Sequence, residues 1–395
     1  MEQASKRSPL RMLAAAAMLA FGVLILSFSM TESNALNRDY TEYWAVGHQL
    51  VHHRNPYDSA DILNLLHASG SNAATHMILR NPPTALFMTL PLGFVGVKAG
   101  AVLWTLILVG SLIASIRMIW IIQGCPSDDL KLIGYAFPPA LACLLAGQLG
   151  AILLLGITSF LYFERSRPFL AGAALLLCSL KPHLFLPFWI GLALWIIVSK
   201  AYRVLIGALT AMIASFAIIL LLDPAIWSQY AHGERGENIQ SLFIPCVSVV
   251  FRLLVYRSAF WLQFVPAVVG CVWAGRYFWN RRNVWSWTKD LPLLLLVSVL
   301  VAPYAWFTDE TVLLPAILAA LYQARKAGRS LLPFASLAGV ALLEVVAHVP
   351  LASGLYLWTA PAWLAWYLIA TRGTTRTAGT GADHNRPMTY QASSP

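Results

Sequence analysis

Apolar stretches follow one another along the chain from residue 12 to residue 371, separated by polar segments that are mostly short, with longer connections at 31–83 and 223–257. A membrane-crossing helix needs about 20 mainly apolar residues. The pattern therefore predicts an all-α polytopic membrane protein with about twelve transmembrane helices. The predicted crossings are 12–30, 84–120 with a break near 96–100, 131–147, 149–163, 168–181, 183–199, 203–222, 258–280, 290–306, 310–324, 331–349 and 354–371.

The composition supports this class, because 58% of the 395 residues are apolar and 11% are charged. No stretch is long enough for a separate soluble domain, so residues 1–372 are predicted to form one transmembrane domain. Ser33-Asn34-Ala35 resembles a signal-peptide cleavage site, but the apolar stretch before it exceeds the roughly 7–15 residues of a signal core. We expect an uncleaved first helix, a first extracytoplasmic loop at 31–83 and a disordered cytoplasmic tail at 373–395.

The net charge of +10 could indicate a nucleic-acid partner, but in a membrane protein the placement of Lys and Arg matters more than their sum. Lys6, Arg7 and Arg11 precede the first crossing, which predicts cytoplasmic termini and no nucleic-acid role. The other basic residues at predicted cytoplasmic ends are Arg117, Lys131, Arg165, Arg167, Lys200, Arg203, Arg276, Arg281, Arg282, Lys289, Arg325, Lys326, Arg329, Arg372 and Arg376.

The excess of Lys and Arg at cytoplasmic ends, the positive-inside rule, does not explain a second set of polar side chains. These lie in five predicted outer connections, at about the same membrane depth. The residues are Asp39, Tyr40, Glu42, Tyr43 and Arg80 in the first connection, Gln148 in the second, Lys181 and His183 in the third, Asn238 and Ser241 in the fourth, and Tyr304 and Asp309 in the fifth. Because they converge on one face, these residues are the candidates for a substrate site.

Each candidate also has a purely structural interpretation. Asp39 and Glu42 are compatible with solvated carboxylates at a helix start, where the helix dipole favours negative charge, and Tyr43 with an interfacial aromatic. Lys181 lies inside the apolar stretch LLLCSLKPHLFLPFW. A cation there is costly, so it indicates function unless the side chain reaches water.

Motifs of other enzyme classes are missing from the sequence. There is no glycine-rich phosphate loop, no HExxH and no GxSxG. The five cysteines have no paired spacing, and His52-His53 has no carboxylate or cysteine partners nearby. We therefore predict neither a metal site nor a cofactor.

Short motifs in a fixed order give the chain a resemblance to a known family. They are Asp39-Tyr40 with Tyr43-Trp44 and Pro56-Tyr57-Asp58, Asn81-Pro82-Pro83 with Leu90-Pro91-Leu92, Gly147-Gln148, Lys181-Pro182, Asn238 with Ser241, and Ala302-Pro303-Tyr304 with Asp309 and Leu313-Leu314. Over roughly residues 10–370 the chain resembles glycosyltransferase family 87, which has the GT-C fold and includes mannosyltransferases acting on phosphatidylinositol mannosides. Arg80-Asn81 stands where family members commonly have an aromatic residue before the proline pair, and Thr308-Asp309 stands where some have histidine.

The resemblance implies a hexosyltransferase, with mannose favoured, in a bacterial inner membrane. Its donor would be a polyprenyl-phosphate sugar and its acceptor a glycolipid or envelope glycan on the extracytoplasmic face. Asp39 would act as general base in an inverting single displacement, and Lys181 would hold the leaving phosphate, with Arg80 and His183 as further candidates.

Other classes remain open at the level of sequence. A secondary transporter would also have about twelve helices, but its ionisable residues lie near the bilayer midplane and its halves are usually related. An O-antigen-ligase-like transferase would share the outer site but use a diphosphate-linked donor. A structural scaffold would tolerate alanine at all five polar clusters.

Overall fold

The computed structural model describes residues 39–71, 81–127, 129–236, 243–328, 332–348 and 356–372. Within these ranges the chain is helical, and none of the described residues forms a β-strand. The predicted first crossing and the predicted tail lie outside the described residues, as do three site candidates, Arg80, Asn238 and Ser241.

Most of the α-helices coincide with the predicted apolar stretches. They are α1 (Tyr40–Val51), α2 (Ser59–Ala68), α3 (Leu90–Gly93), α4 (Val97–Ile122), α5 (Pro138–Ala146), α6 (Gly150–Phe163), α7 (Pro168–Cys178), α8 (Leu186–Ser199), α9 (Tyr202–Leu222), α10 (Ile226–Gly236), α11 (Val247–Val255), α12 (Val265–Arg281), α13 (Trp287–Val301), α14 (Leu314–Lys326), α15 (Leu332–His348) and α16 (Thr359–Thr371). Short 3-10 turns at Pro83–Met88, Leu130–Ala136, Pro182–Phe185, Phe260–Phe264 and Phe307–Leu313 precede some of them.

Three helical segments in the described part of the chain are long and apolar enough to cross a membrane. They are Val97–Ile122, Pro182–Ser199 and Tyr202–Leu222, and the apolar helices α6 and α7 are shorter. The predicted break near residue 96 is present, because Gly96 has an extended backbone and α4 begins at the next residue. All-helical architecture with membrane-length helices is therefore confirmed, and the number of crossings stays a prediction.

Helices α7 and α9 approach each other backbone to backbone through two glycines. A Cβ on Gly172 would lie 1.9 Å from the carbonyl oxygen of Val204, and one on Gly207 would lie 2.0 Å from that of Phe169. Small residues at such crossings are typical of helix packing in membranes. Helix α7 also packs on α6, and α6 on α4, so these helices form one continuous layer.

One face of α9 is apolar and unusually exposed. The exposed residues include Leu205, Ile206, Leu209, Met212, Ile213, Ile218 and Leu221. A largely apolar surface of this length is unfavourable in water and fits contact with lipid.

Helices also form inside the connections that the apolar pattern left between crossings, namely α1, α2, α10 and α11. Helix α1 packs on α3, where a Cβ on Gly47 would lie 2.1 Å from the carbonyl oxygen of Thr89 and one on Gly93 2.2 Å from that of Gly47. The two glycines thus let α1 lie directly against the segment that leads into α4. Asp39 is the residue before α1.

A second polar cluster surrounds Asp290 in the first turn of α13. Its fully buried carboxylate accepts hydrogen bonds from Tyr277 Oη at 2.8 Å, Arg281 Nε at 2.6 Å and the Ser286 amide at 2.9 Å. Helix α13 has 15 residues and is roughly 22 Å long. Asp290 lies 11 residues, or about 17 Å along the helix axis, before Val301, whereas Tyr304 and Asp309 follow the other end of α13.

Candidate active site

Asp39 is bound through both its backbone and its side chain to the turn between α5 and α6. Its amide donates a hydrogen bond to the carbonyl oxygen of Ala146 at 3.0 Å. The side-chain amide of Gln148 donates to Asp39 Oδ2. The first and second predicted outer connections therefore meet at this carboxylate.

The turn that carries Gln148 is held by several independent contacts. Gly147 has a left-handed backbone with φ of 74°, and Trp104 Nε1 donates to its carbonyl oxygen at 2.7 Å. The thiol of Cys143 donates to the carbonyl oxygen of Gln148 at 3.0 Å. A Cβ on Gly150 would lie 2.4 Å from the carbonyl oxygen of Thr308, so only glycine permits the close approach of the segment before Asp309.

Tyr43 lies one turn along α1 and completes the contacts of Gln148. Its hydroxyl donates to Gln148 Oε1 at 3.2 Å, and its ring lies 5.2 Å from that of Trp104. Burial, together with the nearby charges of Glu42, Asp39 and Asp309, raises the pKa of Tyr43 well above its usual value. The hydroxyl thus keeps its proton at neutral pH and remains a donor.

Lys181 and Asp309 form an ion pair between the third and fifth predicted outer connections. Lys181 Nζ lies 2.7 Å from Asp309 Oδ1, and the two side chains are 12% and 2% exposed. The other carboxylate oxygen of Asp309 accepts from the amide of Trp306 at 3.1 Å. The ammonium group of Lys181 is therefore paired with one buried carboxylate, that of Asp309.

Glu310, next to Asp309, belongs to a different environment. It is buried and accepts a hydrogen bond from Thr359 Oγ1, at the start of α16, at 2.5 Å. Adjacent residues in the 3-10 turn Phe307–Leu313 thus direct one carboxylate to Lys181 and the other to α16.

His183 and Tyr304 also come together at this end of the bundle. Their rings lie 5.1 Å apart in an edge-to-face arrangement, and the ring of Phe264 lies 6.1 Å from that of Tyr304. Both His183 and Tyr304 are partly exposed. The His183 ring also lies within electrostatic reach of Lys181 and Asp309.

Asn81 and Tyr57, which in the sequence were only motif residues, link the segment before α4 to the backbone next to Lys181. Asn81 Nδ2 donates to the carbonyl oxygen of Leu180 at 2.5 Å, and Tyr57 Oη donates to the carbonyl oxygen of Asn81 at 3.0 Å. Both side chains are buried. They hold the backbone just before Lys181, a role that no local sequence signal indicates.

Other candidates have structural contacts of their own. Tyr40 is fully buried and donates to the carbonyl oxygen of Val97 at 2.5 Å, and Glu42 is 9% exposed. Tyr40 and Tyr43 are 0% and 3% exposed, so both rings are packed inside the protein, and their assignment to a substrate site stays a prediction. Among the described residues, no group of three or more His, Cys, Asp or Glu side chains is arranged to hold a metal.

The comparison with known families decides the classification. The model of glycosyltransferase family 87 matches residues 80–303, which is more than half of the chain. The chain belongs to glycosyltransferase family 87. Comparison with curated proteins and with solved structures found no match. Family membership and the membrane-length apolar helices together identify the protein as a membrane glycosyltransferase.

The range that matches family 87 contains Gln148 and Lys181 but neither Asp39 nor Asp309. The structure joins Asp39 and Asp309 to this range, since Gln148 binds Asp39 and Lys181 binds Asp309. Four of the five predicted outer connections are thus in contact within the described residues, and the candidate residues of the remaining one lie outside them.

Proposed function

We propose that the protein transfers a hexose, with mannose favoured, from a polyprenyl-phosphate sugar to a glycolipid or envelope glycan acceptor. The transfer takes place on the extracytoplasmic face of a bacterial inner membrane, within a GT-C-like domain of about twelve crossings. One observation supports this most strongly. In a family 87 chain, the Asp39 carboxylate bound by the Gln148 side chain and the Asp309 carboxylate paired with Lys181 both lie within electrostatic reach of Tyr43.

Asp39 is the general base of the proposed reaction. As the acceptor hydroxyl attacks the anomeric carbon, its proton passes to the Asp39 carboxylate and a new C–O bond forms. The bond from the anomeric carbon to the phosphate oxygen breaks, and its electron pair leaves with the polyprenyl phosphate. A single displacement of this kind inverts the anomeric configuration.

Lys181 is the proposed partner of the leaving phosphate. An ammonium group has three N–H donors, and Asp309 accepts from one of them. A second donor can therefore bind a phosphate oxygen without breaking the ion pair. Stabilisation of developing negative charge is strongest where water is scarce, and the 12% exposure of Lys181 meets that condition.

The transporter and diphosphate-donor alternatives make different experimental predictions. Purified protein in lipid bilayers is supplied with polyprenyl-phosphate mannose, a polyprenyl-diphosphate sugar or a nucleotide sugar, together with membrane lipids from a gene-deleted strain. A mannosylated lipid formed only from the first donor supports the proposal. Product from the diphosphate donor alone, or sugar movement across vesicles without product, overturns it.

The acceptor can be identified in the same strain. Mass spectrometry of glycolipids and envelope glycans before and after gene deletion should show one hexose-bearing species lost and its precursor accumulated. An unchanged glycan profile would contradict the proposed acceptor class.

The proposed orientation predicts which loops face outward. Single cysteines at the exposed positions Ala60 and Ser228 should react with an impermeant thiol reagent in intact spheroplasts, and one at the exposed Ser166 should not. The background lacks the native cysteines. All three should react once the membrane is permeabilised, and the reverse pattern in intact cells would place the site on the cytoplasmic side.

A further inference from the structure

The contacts of Gln148 indicate a more specific role than substrate binding. A carboxylate can only accept hydrogen bonds, so the NH2 group of the Gln148 amide must face Asp39. Its oxygen then faces Tyr43, whose hydroxyl donates to it at 3.2 Å. Both the NH2 group and the oxygen of the Gln148 amide therefore form hydrogen bonds within the protein, which defines the orientation of the amide.

We propose that Gln148 is the positioning residue of the catalytic base, and that Tyr43 fixes the orientation of its amide. This inference rests on the proposed function of Asp39. The N–H donor holds one carboxylate oxygen of Asp39 in place. It also stabilises the ionised carboxylate, which is the form that accepts a proton.

The hydrogen-bonded series Tyr43–Gln148–Asp39, called the relay below, is held by further contacts. Trp104 supports it at two points, since its indole nitrogen binds the carbonyl oxygen of Gly147, next to Gln148, and its ring packs on Tyr43. The Asp39 amide binds the same turn through Ala146. Base and positioning residue thus belong to one hydrogen-bonded unit, although they lie 109 positions apart in the chain.

Several other titratable groups surround this unit. Glu42, Asp309 and Cys143 lie within electrostatic reach of Tyr43, as Asp39 does, and the charge of Asp309 is paired with Lys181. None of these groups is changed by substitutions at Gln148 or Tyr43. A shift in the pH profile of such variants therefore reports on the hydrogen bonds of the relay.

The test is the pH dependence of kcat/KM in three variants. Gln148→Met removes both polar ends of the amide and should lower kcat by about tenfold to 100-fold. Without the N–H donor the Asp39 carboxylate takes up a proton more readily, so the acid limb should move upward by about one pH unit. Tyr43→Phe should shift the limb in the same direction by less, and the double variant should shift no further than Gln148→Met.

Ser115→Ala is the matched control, because the Ser115 hydroxyl is fully buried and binds the carbonyl oxygen of Ser111 within α4, not a residue of the relay. It should leave the acid limb in place. Tyr43→Phe keeps the ring packed on Trp104, so it tests the relay even if Gln148→Met does not fold. Loss of kcat without movement of the limb in both variants overturns the inference.

Failure of this inference can be told apart from failure of the proposed function. Asp39→Asn is measured in the same assay. If it retains near-parent activity, Asp39 is not the base. If it is inactive while the Gln148 and Tyr43 variants keep the parent limb, only the positioning role of Gln148 is wrong.

Discussion

Replacement of Asp39 by asparagine is expected to lower turnover by about 100-fold to 10,000-fold, the usual contribution of a general base. Asparagine has the same shape, and its side-chain oxygen still accepts from the Gln148 amide, so the local geometry should persist. Donor affinity should be unchanged. The measurement is single-turnover transfer in lipid bilayers, with thermal unfolding as the check of folding.

The matched control is Glu42→Gln, which changes the neighbouring carboxylate of the same helix. Glu42 is buried at 9% exposure, and its variant should keep most of the parent activity. Asp58 is a weak alternative base, because its carboxylate caps α2 by accepting from the amides of Ala60 and Asp61. Near-parent transfer by folded Asp39→Asn would reject the assignment and leave Glu42 and Asp309 for testing.

Removal of the Lys181 charge is expected to lower kcat/KM for the donor by about 100-fold to 1,000-fold, with little change in the KM of the acceptor. The ion pair complicates the single variant, since Lys181→Ala leaves the buried Asp309 carboxylate without its partner. Breaking a buried pair in this way costs about 3–5 kcal/mol of folding stability. Lys181→Arg keeps the charge in a different shape and should recover part of the donor use.

The double variant Lys181→Met with Asp309→Asn separates the two effects. It removes both charges of the pair at once, so folding stability should return towards that of the parent. If Lys181 binds the donor phosphate, the stable double variant still uses the donor poorly. Normal donor kinetics in the double variant would show that Lys181 serves only to neutralise Asp309.

The sequence alone was sufficient for the helical class and for most helix positions. In lipid every backbone polar group must be satisfied within the protein, so the length of an apolar run already predicts a helix. The break before Val97 was also readable, because Gly96 lies between two apolar segments. Helices such as α1 and α11 were missed, since their apolar residues are too few to resemble a crossing.

Charge placement and motif order were likewise sufficient to select the candidate residues and the family. They could not show what each side chain contacts. Lys181 and Asp309 are 128 positions apart, and local sequence equally allowed Lys181 to reach water. Tyr57 and Asn81 gave no sign of their bonds around Leu180.

The sequence by itself thus determined the membrane-length helices and the family 87 classification. Apolar runs and short motifs can each be recognised from the residues within one segment. The carboxylate held by Gln148, the partner of Lys181 and the opposite directions of Asp309 and Glu310 were decided by tertiary structure. Those pairings depend on how closely helices approach, and backbone contacts at Gly47, Gly93 and Gly150 set that distance.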